Sequence, residues 1–309
     1  MEGNPFSLKF NFEPGKVHQL QRNIRRIIAP NGSPMTFTGT NTYLVGNQNL
    51  AVIDPGPNIK AHLNSILASV TRNQSITHIL ITHSHIDHSP LAKILQEKTN
   101  APIYAFGDSF SGRSKMMMEL TKKGDLKGGE GLDKNFSPDV YVKDGDQISS
   151  DEWCFDAIWT PGHLGNHLCY GLKKSGVLFS ADHVMGWATS LVSPPDGDLT
   201  QFMDSLQKLL KFDDYNLYYP GHGDKIDNPK EIINYIIKHR KMREKQILKS
   251  IAEISLNSTQ IAEKIYIDVN KSLIPAAARN VFAHLIDLKQ RQLVTNSHEL
   301  NFETIFSSI

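Results

Sequence analysis

Layered β-sheets flanked by helices, an α/β (α+β) arrangement, followed by a small helical module with a hairpin, is the fold class that this 309-residue sequence predicts. Three observations predict it. Short apolar, partly β-branched runs bounded by turn residues recur through the first two thirds of the chain. Helical periodicity appears between some of them, without the regular strand–helix alternation of a wound parallel sheet. After Pro229 the strand patterns give way to long helical ones.

Residues 42–45, 50–53 and 78–81 read as strands, the second closed by Asp54-Pro55-Gly56. Leu63, Ile66, Leu67 and Val70 set a helical stripe over residues 61–70. Leu91, Ile94 and Leu95 set another over 90–97, with Pro90 in its first turn. Residues 107–139, with six glycines, the run Met116–Met118 and several lysines, read as an inserted loop with a short helix: a lid over a site, or a surface elaboration. Strands resume at 153–159, 167–170, 177–179 and 217–219, and a helix over 200–210 turns Phe202, Met203, Leu206, Leu209 and Leu210 inward. Residues 231–254 are a long helix, basic between Lys238 and Lys249. Asn257-Ser-Thr-Gln260 resembles a capping box before a helix at 261–266, and 275–288 is a third helix. Residues 292–294 and 302–305 flank a polar turn at Asn296-Ser297 and form a hairpin. Three helices and a hairpin make a winged helix-turn-helix module, so the chain divides into residues 1–232 and 233–309.

With 39% hydrophobic and 21% charged residues, the composition excludes a disordered or fibrous chain. A net charge of +1 gives no strong global attraction to nucleic acid or membrane, although residues 233–309 carry 11 Lys/Arg against 7 Asp/Glu. Two cysteines, Cys154 and Cys169, make neither a disulfide framework nor a zinc ribbon and are expected in the core. Residues 1–26 contain no apolar segment of the signal-peptide kind, and no run of about 18 apolar residues occurs. A cytoplasmic location away from membranes is the expectation.

The 13 histidines carry the chemical information. Thr82-His83-Ser-His85-Ile-Asp87-His88 follows an apolar strand and precedes a helix. His83 and His85, two apart in extended chain, point to the same side, while Asp87 and His88 lie past the turn and reach a second point nearby. A helix start at His88 disfavours imidazolium and keeps the ring neutral for a metal. Three more ligand-type residues directly follow strands: His163 in Thr160-Pro-Gly-His163, Asp182 in Ser180-Ala-Asp182, and His222 in Pro220-Gly-His222. Glycines before His163 and His222 permit the sharp turns that aim these side chains, and the two oxygens of Asp182 suit it to bridge. Seven such residues suffice for two four- or five-coordinate ions. His167, His183 and Asp54 are candidates to orient the ligands, although ordinary turn or strand roles account at least as well for the two histidines.

These motifs resemble the metallo-β-lactamase fold hydrolases. The stretch from Ser33 to Gly46, with Gly39-Thr-Asn-Thr-Tyr43 at its centre, is similar to the β-lactamase-like protein 2 branch, as is the winged-helix ending. The resemblance covers nearly the whole chain. It implies an αββα sandwich with the metals at one edge of the sheets. By that resemblance His83, His85 and His163 hold one ion, Asp87, His88 and His222 the other, and Asp182 bridges. Ser89-Pro90 and His183 depart from many relatives, which leaves the ligands intact and weakens analogies of substrate.

Two such ions support hydrolysis by direct attack of an activated water, with Asp87 and Asp182 as the expected catalytic carboxylates. The His-rich set favours zinc (Zn2+), and iron or manganese accepts the same donors. The expected substrate is a small-molecule or carrier-bound acyl ester or thioester. The alternative is endonucleolytic cleavage of single-stranded RNA, against which the modest positive charge argues. A β-lactamase fits less well because an export signal is missing from the sequence. A DNA-binding sensor also fits less well, because helix 275–288 offers only Arg279 and Asn280 for base or phosphate contacts. The winged helix is expected instead to wall a pocket or to join two copies in a homodimer.

Overall fold

The computed structural model describes residues 3–123, 126 and 131–309. Its first sheet has seven strands in sequence order: β1 (Val17–Gln21), β2 (Ile24–Ile28), β3 (Asn41–Val45), β4 (Asn49–Ile53), β5 (Ser75–Leu80), β6 (Ile103–Ala105) and β7 (Val140–Tyr141). Helices α1 (Lys60–Ala68) and α2 (Leu91–Thr99) cover its outer face, where Leu63, Ile66, Leu91 and Leu95 meet Leu44, Val52 and Ile79. After α3 (Lys115–Lys123), the second sheet contains β8 (Gln147–Ser149), β9 (Cys154–Trp159), β10 (Leu168–Leu172), β11 (Val177–Ala181) and β12 (Leu217–Pro220), in the order β12-β11-β10-β9-β8. Tyr43, Ile53 and Leu80 of the first sheet pack on Phe155, Tyr170, Phe179 and Tyr219 of the second. On the far side lie α4 (Leu199–Leu209) and α5 (Pro229–Ser250), whose Phe202, Leu206, Ile233 and Ile236 share a cluster with Leu178 and Tyr218. The result is an αββα sandwich.

The last third contains α6 (Ser258–Ile265), α7 (Ile274–Gln290) and the hairpin β13 (Val294–Asn296) and β14 (Phe306–Ser308), whose strands both start later than the sequence pattern places them. The capping box is present: Asn257 accepts from the Gln260 amide at 2.9 Å, and the Gln260 side chain accepts from the Asn257 amide at 3.0 Å. Asn257→Ala is therefore expected to lower stability by about 1 kcal/mol, read as a shifted urea midpoint with an unchanged slope. The expected boundary at 232/233 falls inside α5. Ile232, Ile233, Ile236 and Ile237 belong to the sandwich core, whereas Ile247 packs with Ile261, Phe282 and Phe306 of the terminal module. One continuous helix thus joins the two cores.

Several elements differ from the sequence pattern. Strands β1, β2, β6, β7 and β8 have no counterpart in it. β2 carries two arginines, and its Arg26 is buried with its guanidinium 4.8 and 4.4 Å from the ring centres of Phe10 and Phe12. β6, β7 and β8 have two or three residues each, too few for a periodic signal. α2 begins at Leu91 with Pro90 as its N-cap, so His88 lies before the helix rather than at its start. In the 107–139 insert, α3 places Met117 and Leu120, together with Leu126, in the cluster of the terminal module. The parts of the insert at 124–125 and 127–130 lie outside the described residues. Among the described residues, no helix is long and apolar enough to cross a membrane.

Candidate active site

Every residue singled out as a ligand follows the C-terminal end of a strand: His83, His85, Asp87 and His88 after β5, His163 after β9, Asp182 after β11 and His222 after β12. The fold brings all seven together. His83, His85, His163 and Asp182 offer atoms within 4.8 Å of one another, and so do Asp87, His88 and His222. Asp182 lies between the sets. One carboxylate oxygen is 3.6 Å from His163 Nε2 and 3.3 Å from His222 Nε2, and the other is 3.5 Å from His88 Nε2.

Local backbone explains the convergence. Gly162 has φ +135°, which favours glycine, and a side chain there would strike Phe202. Gly221 serves by its size instead: a Cβ there would sit 2.2 Å from an Asp182 oxygen. Ala181, directly before Asp182, takes φ 43°, and Asp54 takes φ 49°, strained values for residues with side chains.

The hydrogen bonds behind the ligands set their tautomers. The Thr82 hydroxyl donates to Asp54 Oδ2 at 2.6 Å and so accepts from His83 Nδ1 at 3.0 Å. His163 Nδ1 donates to the Leu191 carbonyl at 2.7 Å. Both Nε2 lone pairs therefore face inward, each 3.0 Å from His85 Nδ1, which has at most one proton to share between them. His88 Nδ1 donates to Asp54 Oδ2 at 2.8 Å and His222 Nδ1 to the Gly39 carbonyl at 3.2 Å, turning their Nε2 atoms toward Asp87 and Asp182. His88 Nε2 and Asp182 Oδ1 are buried with no hydrogen-bond partner. Converging lone pairs and carboxylates call for cations, so the residues present fit two metal ions.

Electrostatics divide the histidines. Burial holds His83 well below the usual imidazole range, and burial with the neighbouring His163 takes His85 down to about 3. His88, expected to be kept neutral, is the opposite: burial opposes its charge, but Asp87, Asp182 and Asp54 outweigh burial and hold its pKa well above the usual range. Burial likewise opposes charge on His222, but Asp182 and Asp87 outweigh it and push the pKa up to about 10. A pKa raised above the ordinary 6.5 stabilises the fold fully below pH ~6.5, and that contribution is lost as pH rises toward about 10. Chelator-stripped protein should accordingly lose thermal stability across that window, and added zinc should restore it by replacing the proton. A melting temperature flat with pH and indifferent to zinc would contradict this assignment.

Asp54 is the orienting residue expected. It lies within 4.8 Å of ligand atoms of His83 and His88, but its oxygens are already engaged. They accept from the Thr82 amide, the Thr82 hydroxyl and His88 Nδ1, so their capacity is directed at the ligand segment. Asp54, not a helix dipole, therefore fixes the His88 ring. His167 bonds Thr160 Oγ1 at 2.9 Å and stacks on His83, while His183 has both nitrogens buried without a partner; neither hydrogen-bonds a ligand side chain. Cys169 is buried in the core as expected, whereas Cys154 is partly exposed.

The Gly39–Tyr43 stretch serves the site in a way its motif alone does not announce. Thr40 Oγ1 donates to Asp87 at 3.1 Å. Asn41 Nδ2 donates to the carbonyls of Pro220 and Gly223, and Tyr43 Oη to that of Pro220, tying β3 to the His222 turn. Polar residues crowded at the start of an otherwise apolar strand were the available signal.

His85, Asp87, His163, Asp182 and His222 form the floor of a cavity of about 580 Å3, with His83 and His88 buried beneath it. Met185, Trp187 and Leu191 line one side, and Tyr266, Leu273 and Ala277 of the terminal module line another. α7 is consequently committed to the sandwich: Asn280 accepts from the Val192 amide at 3.0 Å, Arg279 donates to Ser193 Oγ at 3.1 Å, and Ala283 joins the α4–α5 cluster. The two residues considered for DNA reading face the sandwich.

Residues 35–222 match the metallo-beta-lactamase superfamily, and residues 258–300 match the beta-lactamase associated winged helix domain. The chain belongs to the metallo-β-lactamase superfamily. Within this superfamily, it is 32% identical over 302 residues to a beta-lactamase-like protein 2 homolog of Caenorhabditis elegans, covering 94% of this chain and 92% of the relative. It is 26% identical over 258 residues to a protein of Aspergillus fumigatus named atrochrysone carboxyl ACP thioesterase, covering 80% and 71%. The fold matches the crystal structure of a beta-lactamase domain protein from Burkholderia ambifaria with a TM-score of 0.79 at 18% identity, over 97% of this chain and 96% of that one. This superfamily member is a hydrolytic enzyme.

Proposed function

We propose that the protein is a dinuclear zinc hydrolase that splits an acyl thioester or ester with water. The observation that carries the reading is the position of Asp182 between two ligand sets on the floor of a cavity whose described lining residues include no Lys or Arg. An RNA strand needs cationic side chains along its phosphates, and this lining suits a neutral acyl group instead. The thioesterase name of the Aspergillus relative supports the same substrate class.

His83, His85 and His163 would hold one ion, Asp87, His88 and His222 the other, with Asp182 shared. When bound, the ions supply Lewis acidity and make a water acidic enough to deprotonate near neutral pH. Asp87, held by Thr40, has a carboxylate more open than that of Asp182 and orients the attacking water from the cavity side. The apolar walls exclude competing solvent and position the acyl carbonyl over the floor. Water adds to that carbonyl carbon, the carbon–sulfur or carbon–oxygen bond breaks, and acid and thiol or alcohol leave.

A panel of acyl thioesters and esters and an end-labelled unstructured RNA, each incubated with zinc-loaded protein, tests this. Release of thiol or alcohol with intact RNA is expected. Metal-dependent RNA cuts without acyl hydrolysis would replace the reading with an endoribonuclease.

A further inference from the structure

The segment that carries Ser190, Leu191 and Val192 connects the terminal module to two of the metal ligands. On the ligand side, the Ser190 hydroxyl donates to the Asp182 carbonyl, and the Leu191 carbonyl receives the His163 Nδ1 proton at 2.7 Å. On the other side, Arg240 of α5 donates through one guanidinium nitrogen to the Ser190 carbonyl and through the other to Asn280 Oδ1 at 3.0 Å. Asn280 of α7 accepts the Val192 amide on the same oxygen, also at 3.0 Å. Three consecutive residues are thus gripped from both sides.

Arg240 is 3% exposed, its two hydrogen-bond partners are neutral, its Nε is buried without a hydrogen-bond partner, and its guanidinium carbon lies 5.3 Å from the centre of the Phe202 ring. Burying a guanidinium against neutral groups is costly where packing alone is needed, and an apolar side chain would fill the space at less cost. The geometry points to a positioning role: Arg240 and Asn280 form a clamp by which the terminal module fixes residues 190–192, and through them the orientation of His163 and the backbone of Asp182. This role rests on the dinuclear reading for its consequence, but not for the clamp itself. His163 belongs to only one ligand set, so loosening the clamp weakens that set more than the Asp87–His88–His222 set.

The test compares full-length Arg240→Met, Asn280→Leu and Asn280→Asp proteins with the unaltered one. Asn280→Asp retains an acceptor for both Val192 and Arg240 and serves as the conservative rescue. In metal-free protein, hydrogen–deuterium exchange over residues 183–193 should rise at least about tenfold in Arg240→Met and Asn280→Leu and stay near the original rate in Asn280→Asp. In zinc-loaded protein, the first two variants should surrender one of two ions to a chelator at least about tenfold faster, with the second ion retained. Unchanged exchange in Asn280→Leu overturns the clamp, also where Arg240→Met does not fold. Raised exchange with both ions held as firmly as before overturns the positioning role. Should the unaltered protein bind no metal, the dinuclear reading fails, and exchange alone decides the clamp.

Discussion

Asp182→Asn is expected to lower kcat/KM by roughly a thousandfold, ~4 kcal/mol of barrier, while leaving the fold intact. Asparagine preserves shape and the Ser190 contact, which is made to the Asp182 backbone carbonyl. What disappears is the negative charge beside His88, His163 and His222. A steady-state assay with the preferred acyl substrate, paired with circular dichroism, measures both parts. Full activity in the variant would remove Asp182 from its bridging role.

Asp54→Ala carries the second large effect, although Asp54 does not line the cavity. Its removal leaves the Thr82 amide, the Thr82 hydroxyl and His88 Nδ1 without their buried acceptor. Breaking such a buried arrangement costs about 3–5 kcal/mol, and loss of a group that orients a ligand lowers metal affinity by roughly 10–100-fold. Denaturation of the stripped protein and competitive zinc titration of the loaded protein separate the two costs. An Asp54→Ala protein with original stability and affinity would show that His88 is held by other contacts.

The clustering of the seven candidate ligands was legible because its information is local. Four donor residues fall within six positions of the chain, and the other three each end an apolar strand that also reads clearly. The same strands gave layered sheets flanked by helices, and the αββα order came from the family resemblance. Less was legible where a residue acts through partners distant in sequence. Thr40 meets Asp87 across 47 positions, and Arg240 meets Ser190 across 50, with no periodic pattern to announce either. Nothing local in the sequence announces that Arg26 is buried beside the Phe10 and Phe12 rings. α7 illustrates a different limit: its spacing identifies the helix of a winged module, but only the contacts of Asn280 and Ala283 show which surface that helix serves.

Everything proposed for catalysis depends on Asp182 dividing two metal sites. Crystals of the zinc-loaded protein, measured at the zinc absorption edge, settle that point. Two anomalous peaks are expected, one among His83, His85 and His163, the other among Asp87, His88 and His222, with Asp182 between them. A single peak, or none at these residues in protein that turns over substrate, would contradict the dinuclear assignment.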